Sequence, residues 1–270
     1  MNIDLSEKVA VITGAGRGIG RDVALRLAEE GVTVVGLDVN PEAVETLPAE
    51  LEKHGTVGFS YVCDITDEAR VQEVIADIAE KHGRIDVLIN NAGVGATAPT
   101  DLLTERAWRL VHDVNLTGTF IMCKAVIPVM KAQKSGRIIN AASFAAIIPV
   151  VGHAAYASSK AAVVHFTRTI AGELGPWSIT ANSYAPGMVP TQLNHFTERD
   201  EAEQTRLLGT LSLRRWETTD DIGNLICFLA SDQAGYITGT LIDVSGGKFA
   251  TQIPGSAYAY AESGDASSLP

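Results

Sequence analysis

Tyr156 and Lys160 stand four residues apart in the sequence YASSK, thirteen residues after Ser143. Side chains at positions i and i+4 of a helix share a face, so the phenol and the ammonium can reach one site. A phenol with a pKa of about 10 is a poor base at neutral pH, but a neighbouring ammonium moves that pKa towards the range of general acid–base catalysis. The alternative is a solvated helix face. Ser143 and the glycine-rich signature described next favour catalysis.

A glycine-rich segment, TGAGRGIG, begins at Thr13 between a predicted strand and a predicted helix. Glycine permits a tight turn and a close approach of the backbone, and a helix N-terminus offers free N–H groups to a pyrophosphate. A purely structural turn is the alternative. Because the segment opens a strand–turn–helix unit, the sequence predicts a dinucleotide site.

Asp38 ends the second predicted strand. A carboxylate at this place accepts both hydroxyls of the adenosine ribose and repels a 2′-phosphate. Arg17 is the cation that could instead bind such a phosphate. The carboxylate lies at the ribose itself, so the sequence predicts NAD over NADP.

Two further polar segments follow predicted strands. Asp64 stands in CDITD after the third strand, and the sequence NNAG ends at Gly93 after the fourth. Open α/β sheets bind ligands at the carboxyl ends of their strands, so both segments are candidates for the same cleft. Asp64 could instead cap a helix, although Asp67 is the stronger candidate for that cap.

These segments are carried by short β-rich runs that alternate with stretches of helical period, such as 19–30, 68–81 and 154–174. The alternation predicts βαβ units and a parallel sheet covered on both faces. We expect a single doubly wound, Rossmann-type α/β domain over residues 1–250 with a seven-stranded parallel sheet. Its predicted strands are 8–13, 32–37, 57–62, 85–90, 136–142, 178–185 and 239–244.

Two segments do not follow this alternation of strands and helices. Residues 191–215 are charged and loosely helical, and we interpret them as a lid. Residues 251–270 form a tail rich in Ala, Ser, Gly and Tyr, without a clear period. The tail is either a mobile terminus or an ordered segment held by another subunit.

Taken together, TGAGRGIG, Asp38, Asp64, NNAG, Asn115, Ser143 and YASSK resemble the short-chain dehydrogenase/reductase family, in the family's order and over about residues 5–249. The resemblance implies that Ser143 holds the substrate oxygen, that Tyr156 exchanges the proton and that Lys160 also binds the nicotinamide ribose. It implies that Asn115, in HDVNLTG, bends its helix and holds a water linked to Lys160. Two departures from the family's pattern are VSGG after the last strand and RRWETTDD before the last helix.

The same resemblance adds the family's PGxVxT motif, which would contact the nicotinamide carboxamide. Combined with the glycine-rich turn and the strand ends, it gives a predicted cofactor set. This set comprises Gly14, Arg17, Gly18, Ile19, Gly20, Asp38, Asp64, Ile65, Asn91, Ala92, Gly93, Tyr156, Lys160, Pro186, Gly187, Val189 and Thr191.

The predicted substrate pocket is mainly apolar, which favours a moderately hydrophobic substrate. His153 is either a substrate contact or a cap of its helix. Polar lid residues could bind a polar or anionic tail, although an exposed charged helix explains them as well. The predicted substrate contacts are Ser143, Ala145, His153, Tyr156 and Met188; the remaining pocket candidates are Val94, Ala96, Phe144, Val150 and Tyr184, and those of the lid are Gln192, Asn194, His195, Arg199 and Arg206.

Three functions are consistent with this sequence. The first is an NAD-dependent dehydrogenase of a secondary alcohol, polyol or hydroxyacyl substrate. The second is an NADPH-dependent 3-oxoacyl thioester reductase, which Asp38 disfavours. The third is a nucleotide-sensing regulator without catalysis, a class that loss of the tyrosine or the lysine would mark. Fold alone does not separate them.

Composition limits the partners and the compartment. A formal net charge of −11 repels nucleic acid and anionic lipid. The most apolar stretch, 138–157, is interrupted by polar and turn-forming residues, and the N-terminus lacks a basic region, so we expect a cytoplasmic protein with no membrane partner. Three cysteines without a CxxC pair indicate a reducing compartment and no metal site. They are either reactive thiols or small buried residues.

Apolar residues surround much of two long predicted helices, 117–130 and 154–174. One sheet face cannot bury all of them, and exposed apolar patches usually mark contacts. Members of the family that this chain resembles commonly pair these helices across a two-fold axis. We therefore expect a homotetramer with 222 symmetry.

Overall fold

The computed structural model describes residues 3–191, 196–248 and 250–268. Parallel strands form one seven-stranded sheet: β1 Val9–Thr13, β2 Thr33–Asp38, β3 Phe59–Val62, β4 Val87–Asn90, β5 Gly136–Ala141, β6 Ile179–Pro186 and β7 Leu241–Val244. Their order is β3-β2-β1-β4-β5-β6-β7, so the direction of winding reverses between β1 and β4. This reversal creates a crevice outside the strand ends. The predicted doubly wound fold is confirmed.

Helices cover both faces of the sheet. In chain order they are α1 Gly18–Glu29, α2 Pro41–Lys53, α3 Glu68–His82, α4 Glu105–His112, α5 Thr119–Gln133, α6 Ala154–Leu174, α7 Glu201–Leu208, α8 Thr219–Ala230 and α9 Gly255–Ser263. Alternate residues of β1 enter opposite cores: Ala10 and Ile12 pack with α1 and α8, whereas Val9 and Val11 pack with α3 and α5. Burial on both faces explains why the strands read as continuous apolar runs.

Most element boundaries follow local chemistry. Asp67 caps α3 by accepting a hydrogen bond from the backbone N–H of Arg70, as predicted, whereas Asp64 bonds to Thr66 and remains at the strand end. The last strand begins two residues later than predicted, because Gly239 lies in the left-handed region with a φ of +73°. The long helix predicted at 117–130 is α5, joined to α4 by one wider, π-helical turn at Asp113–Gly118.

The continuous helical stretch Glu105–Gln133 is long and apolar enough, by length and composition alone, to cross a membrane. This apolar composition has another explanation, because Met122, Val126 and Met130 of α5 are fully buried in the core. The three cysteines are buried as well, and burial raises the pKa of Cys63 and Cys227 to about 11. They are therefore small core residues rather than reactive thiols. In the described part of the chain, no three potential metal ligands of the His, Cys, Asp or Glu type cluster together.

Candidate active site

A cleft of about 850 Å³ opens at the carboxyl ends of the first four strands. Its walls come from the turn after β1, the ends of β2 and β3, the NNAG segment and the start of the lid. The structure thus brings together most of the residues predicted for the cofactor: Gly14, Arg17, Gly18, Ile19, Asp38, Asp64, Ile65, Asn91, Ala92, Gly93 and Thr191.

The turn between β1 and α1 fits a pyrophosphate. Gly14 and Gly18 have φ values of +67° and +55°, which side chains other than glycine rarely adopt. Gly20 does not line the cleft but packs under the turn, where a Cβ atom would collide with the Gly14 carbonyl. No side chain caps α1 at Arg17, and Gly18 and Ile19 of its first turn line the cleft. The N–H groups of that turn are the kind of donors that bind a phosphate.

The Asp38 carboxylate is fixed at the end of β2, in the wall of this cleft. Its Oδ2 accepts a hydrogen bond from the Gly16 N–H at 2.9 Å, and its Oδ1 accepts one from the Asn40 N–H at 3.0 Å. Behind the turn, Arg21 forms a salt bridge with Glu50 at 2.8 Å, so its charge is neutralised locally. Both oxygens of the Asp38 carboxylate are thus held by backbone N–H groups, which fix its position in the wall of the cleft.

Ser143, Tyr156 and Lys160 converge beside the NNAG segment. Ser143 follows β5 and is 5% exposed, and Lys160 on α6 is 4% exposed. The Lys160 ammonium donates to the Ala141 carbonyl at 2.7 Å and lies 5.9 Å from the centre of the Tyr156 ring. A Cβ atom on Gly93 would be 3.4 Å from the Lys160 Nζ atom, so the lysine borders the cofactor cleft.

The protein's own groups shift the two pKa values in opposite directions. Burial raises the pKa of the Tyr156 phenol, and a hydrogen bond with Ser143 opposes that rise. Burial lowers the pKa of the Lys160 ammonium to about 8. The expected lowering of the phenol's pKa is therefore not seen in the protein alone, because burial of the phenol outweighs its hydrogen bond with Ser143.

Asn115 lies in the π-helical turn between α4 and α5, at the place where the resemblance predicts a bend of the helix. Its side chain accepts a hydrogen bond from the Val94 N–H at 2.8 Å and donates to the Val94 carbonyl and the Ser159 hydroxyl, both at 3.0 Å. The Asn115 carbonyl accepts from the Thr119 hydroxyl. The asparagine thereby joins Val94, in the wall of the cleft, to Ser159 of α6.

Comparison with known proteins agrees with this geometry. The family model for short chain dehydrogenases matches residues 8–202. The chain belongs to the short-chain dehydrogenase/reductase family.

Several relatives of this dehydrogenase/reductase have named activities. The FabG 3-oxoacyl-(acyl-carrier-protein) reductase of Thermotoga maritima is 38% identical over 245 residues, which cover 90% of this chain and 98% of the relative. The BbsD subunit of a hydroxy(phenyl)methylsuccinyl-CoA dehydrogenase from Thauera aromatica is 38% identical, over 90% of this chain and 97% of its own. The solved structure of an NAD⁺-bound xylitol dehydrogenase is 34% identical with a TM-score of 0.85, over 90% and 99%. The chain is an oxidoreductase.

The predicted substrate residues of this short-chain dehydrogenase/reductase differ in their burial and in their contacts. Ala145 and Met188 are almost fully buried, at 5% and 2% exposed. Tyr184 is wrong as a pocket residue: it is fully buried, and its hydroxyl reaches the Asn91 side chain at 3.4 Å. His153 does not cap α6 through its side chain, since its Nε2 lies 3.2 Å from the Thr97 hydroxyl.

The four residues of the PGxVxT motif are Pro186, Gly187, Val189 and Thr191. They extend from the end of β6 to the cleft, and of these four only Thr191 lines its wall. Val189 is buried in the core. In the lid, Arg199 and Arg206 both pair with Glu203, as expected of a charged exposed helix. The remaining lid candidates, Gln192, Asn194 and His195, lie outside the described residues.

The sequence analysis did not identify Glu217, a buried carboxyl behind the PGxVxT segment, because this residue stands out only as part of the unusual helix entry RRWETTDD.

The sequence analysis also did not predict the structure of the tail. Tyr258 of α9 donates to the Ser212 carbonyl at 2.7 Å, and its ring lies 3.7 Å below the Arg214 guanidinium. The described part of the tail therefore packs against the lid of its own chain. The cleft is also lined by residues that were not predicted as contacts, namely Asp22, Leu37, Val39, Cys63, Leu110, Val114, Pro190, Thr197, Glu198 and Thr219.

Proposed function

We propose that the protein transfers a hydride between NAD(H) and a secondary alcohol or ketone, with Tyr156 as the general acid/base. One observation carries the proposal: the Tyr156 phenol is hydrogen-bonded with Ser143 and lies beside Lys160, whose ammonium is next to Gly93 in the wall of the cleft. A proton donor, a hydrogen-bonding partner for a carbonyl oxygen and a cation are the groups that this reaction requires.

The nicotinamide supplies the hydride chemistry, and the protein positions the reactants. In the oxidative direction the Tyr156 phenolate accepts the hydroxyl proton of the substrate while the carbinol hydrogen leaves as hydride. In the reductive direction the phenol returns a proton to the substrate oxygen. Ser143 holds that oxygen by a hydrogen bond. Because burial raises the pKa of Tyr156 in the protein alone, a positively charged nicotinamide together with Lys160 would stabilise the phenolate.

Asp38 supports NAD as the cofactor, since its fixed carboxylate would lie at the adenosine ribose and repel a 2′-phosphate. The NAD⁺-bound xylitol dehydrogenase among the structural relatives supports the same choice. Gly14, Gly18 and Ile19 would hold the pyrophosphate, and Lys160 and Thr191 would lie at the nicotinamide end.

A second candidate is an NADPH-dependent 3-oxoacyl thioester reductase. It is favoured by FabG relatives that are 37–38% identical over 90% of the chain. An apolar loop beside Ser143 would also suit an acyl chain, because Ile147, Ile148 and Val151 are 42%, 51% and 98% exposed. Asp38 opposes this candidate through its charge. A nucleotide-sensing regulator is disfavoured, because the tyrosine and the lysine are both present.

A spectrophotometric screen separates the candidates. Secondary alcohols, polyols and hydroxyacyl thioesters are offered with NAD⁺ or NADP⁺, and the corresponding ketones and 3-oxoacyl thioesters with NADH or NADPH. We expect turnover with NAD(H) to exceed that with NADP(H) at least tenfold in kcat/KM, or about 1.4 kcal/mol. Turnover confined to NADPH and 3-oxoacyl thioesters would establish the second candidate instead.

We further propose a cytoplasmic homotetramer with a small-molecule substrate and neither a nucleic-acid nor a membrane partner. Support comes from α4 and α5, where the large apolar side chains Trp108, Leu110 and Phe120 are 40%, 54% and 45% exposed. Phe120 also contacts Phe166 of α6, with ring centres 6.2 Å apart. Light scattering at micromolar concentration should give four times the chain mass of 28.6 kDa; a mass of one chain would exclude the assembly.

A further inference from the structure

Glu217 lies between the lid and α8, and only 7% of it is exposed. Its Oε2 atom accepts a hydrogen bond from the Gly187 N–H, and its own backbone N–H donates to the Met188 carbonyl at 3.2 Å. A Cβ atom on Gly187 would come within 2.7 Å of Ser245, so this part of the chain is held between two neighbours. Glu217 therefore binds the segment after β6 through both its side chain and its main chain.

The surroundings of the carboxyl are mostly apolar. It borders a cavity of about 120 Å³ whose walls include Met188, Leu211, Leu213 and Val244. The second carboxyl oxygen, Oε1, is buried without a hydrogen-bond partner among the described residues. Burial raises the pKa of the Glu217 carboxyl to about 8, so the group is mainly neutral at pH 7.

Four ionisable groups face Glu217 from the elements around it. Arg215 and Asp221, at the entry to α8, form an ion pair with each other at 2.6 Å. Asp243 comes from β7 and Tyr184 from β6. Asp221 and Asp243 oppose ionisation of Glu217, whereas Arg215 favours it less strongly. Because Arg215 is paired with Asp221, no ion pair compensates a charge on Glu217 within the described structure.

We propose that Glu217 is a positioning residue: it anchors residues 186–189, and raising the pH loosens that anchor by ionising it. The inference rests on the proposed function only in so far as residues 186–189 contact the nicotinamide. The anchor itself is a property of the protein without cofactor.

The direction of the pH effect follows from proton linkage. When the segment opens, Glu217 meets water and its pKa returns towards the ordinary value of 4.5. The closed segment therefore binds the proton more tightly than the open one. Raising the pH from about 4.5 to about 8 favours opening, and above that window both forms are ionised and the dependence ends.

Hydrogen exchange of the whole protein, followed by mass spectrometry of peptides that contain residues 186–189, tests the anchor between pH 5 and 8. After correction for the intrinsic exchange rate, protection in the wild type should fall by up to about tenfold per pH unit, since one proton is released. Glu217→Gln keeps an acceptor for the Gly187 N–H but cannot ionise, so its protection should not change with pH. Glu217→Ala should be poorly protected throughout.

Asp220→Asn is the matched control, because Asp220 lies in the first turn of α8 but is exposed. It should behave as the wild type. A wild type without pH dependence, or the same dependence in Glu217→Gln, would overturn the proposal. The glutamine variant answers this question even if the alanine variant does not fold.

Binding of NADH, measured by its fluorescence at pH 6, tests whether the anchor reaches the cofactor. Glu217→Ala should bind roughly fivefold more weakly, the loss expected for one hydrogen bond, and Glu217→Gln should bind as the wild type does. Wild-type affinity in the alanine variant would contradict the proposal. If the wild type binds no nicotinamide cofactor, the proposed function fails, while the exchange experiment still decides whether Glu217 anchors the segment.

Discussion

The proposed catalytic side of the molecule, around Asp38, Ser143 and Lys160, and the lid side, around Glu217 and Tyr258, are held by different kinds of contact. On the catalytic side, Asp38, Ser143 and Lys160 lie on or directly beside regular elements, and the atoms that fix them belong to strands and turns of the same sheet edge. On the lid side, Glu217 and Tyr258 reach segments that are irregular in sequence, 30 and 46 residues away. The first set of contacts lies at the strand ends of the sheet, whereas the second set joins irregular segments that are distant in sequence.

This difference has energetic consequences. Losing a catalytic group removes stabilisation of the transition state but leaves the packed sheet intact. Losing a contact on the lid side changes how often the segment that it holds opens locally. Substitutions on the two sides should therefore affect different measurements, the first the chemical step and the second local protection and substrate binding.

Tyr156→Phe should have the largest effect. The variant removes the proton donor and acceptor but keeps the ring, so kcat should fall by about 10²–10⁴-fold while affinity for NADH stays unchanged. Tyr236→Phe is the control, because that tyrosine is fully exposed and should not matter. Steady-state kinetics and fluorescence titration measure both quantities. Retention of more than a few per cent of the rate would place the acid/base elsewhere.

The catalytic side could be predicted from the sequence because its residues recur at fixed positions relative to strands. Asp38 ends β2, Asn91 follows β4, and Tyr156 and Lys160 share one face of α6. A parallel sheet aligns such strand ends at one edge, so their proximity needs no knowledge of side-chain packing.

The lid side could not be predicted in this way. Glu217 is a single carboxyl in an entry sequence without period, and nothing in RRWETTDD shows that it will be buried against Gly187. Tyr184 shows the opposite case, because it was a pocket candidate from the sequence while its side chain lies fully buried in the core. Both outcomes depend on which neighbours the fold brings together.

The charge of Asp38 should have the second largest effect. Asp38→Ala should raise kcat/KM with NADP at least tenfold relative to that with NAD, because the repulsion of the 2′-phosphate is removed. Asp38→Asn removes the charge and keeps one of the two acceptor oxygens, so it can accept from the Gly16 or the Asn40 N–H group but not from both. The asparagine variant should move preference in the same direction. A preference for NAD that survives in both variants would show that shape rather than charge selects the cofactor.

The contact between the tail and the lid should have the smallest effect, since it consists of one neutral hydrogen bond and one stacked cation. Tyr258→Phe removes the bond to the Ser212 carbonyl but keeps the ring beneath Arg214. We expect a loss of about 1 kcal/mol, seen as roughly two- to tenfold faster proteolysis within residues 251–268, with an unchanged kcat. Tyr260→Phe is the control, because Tyr260 is 45% exposed. Equal proteolysis of the two variants would mean that the hydrogen bond does not hold the tail, and a fall in kcat would mean that the lid side takes part in the chemical step after all.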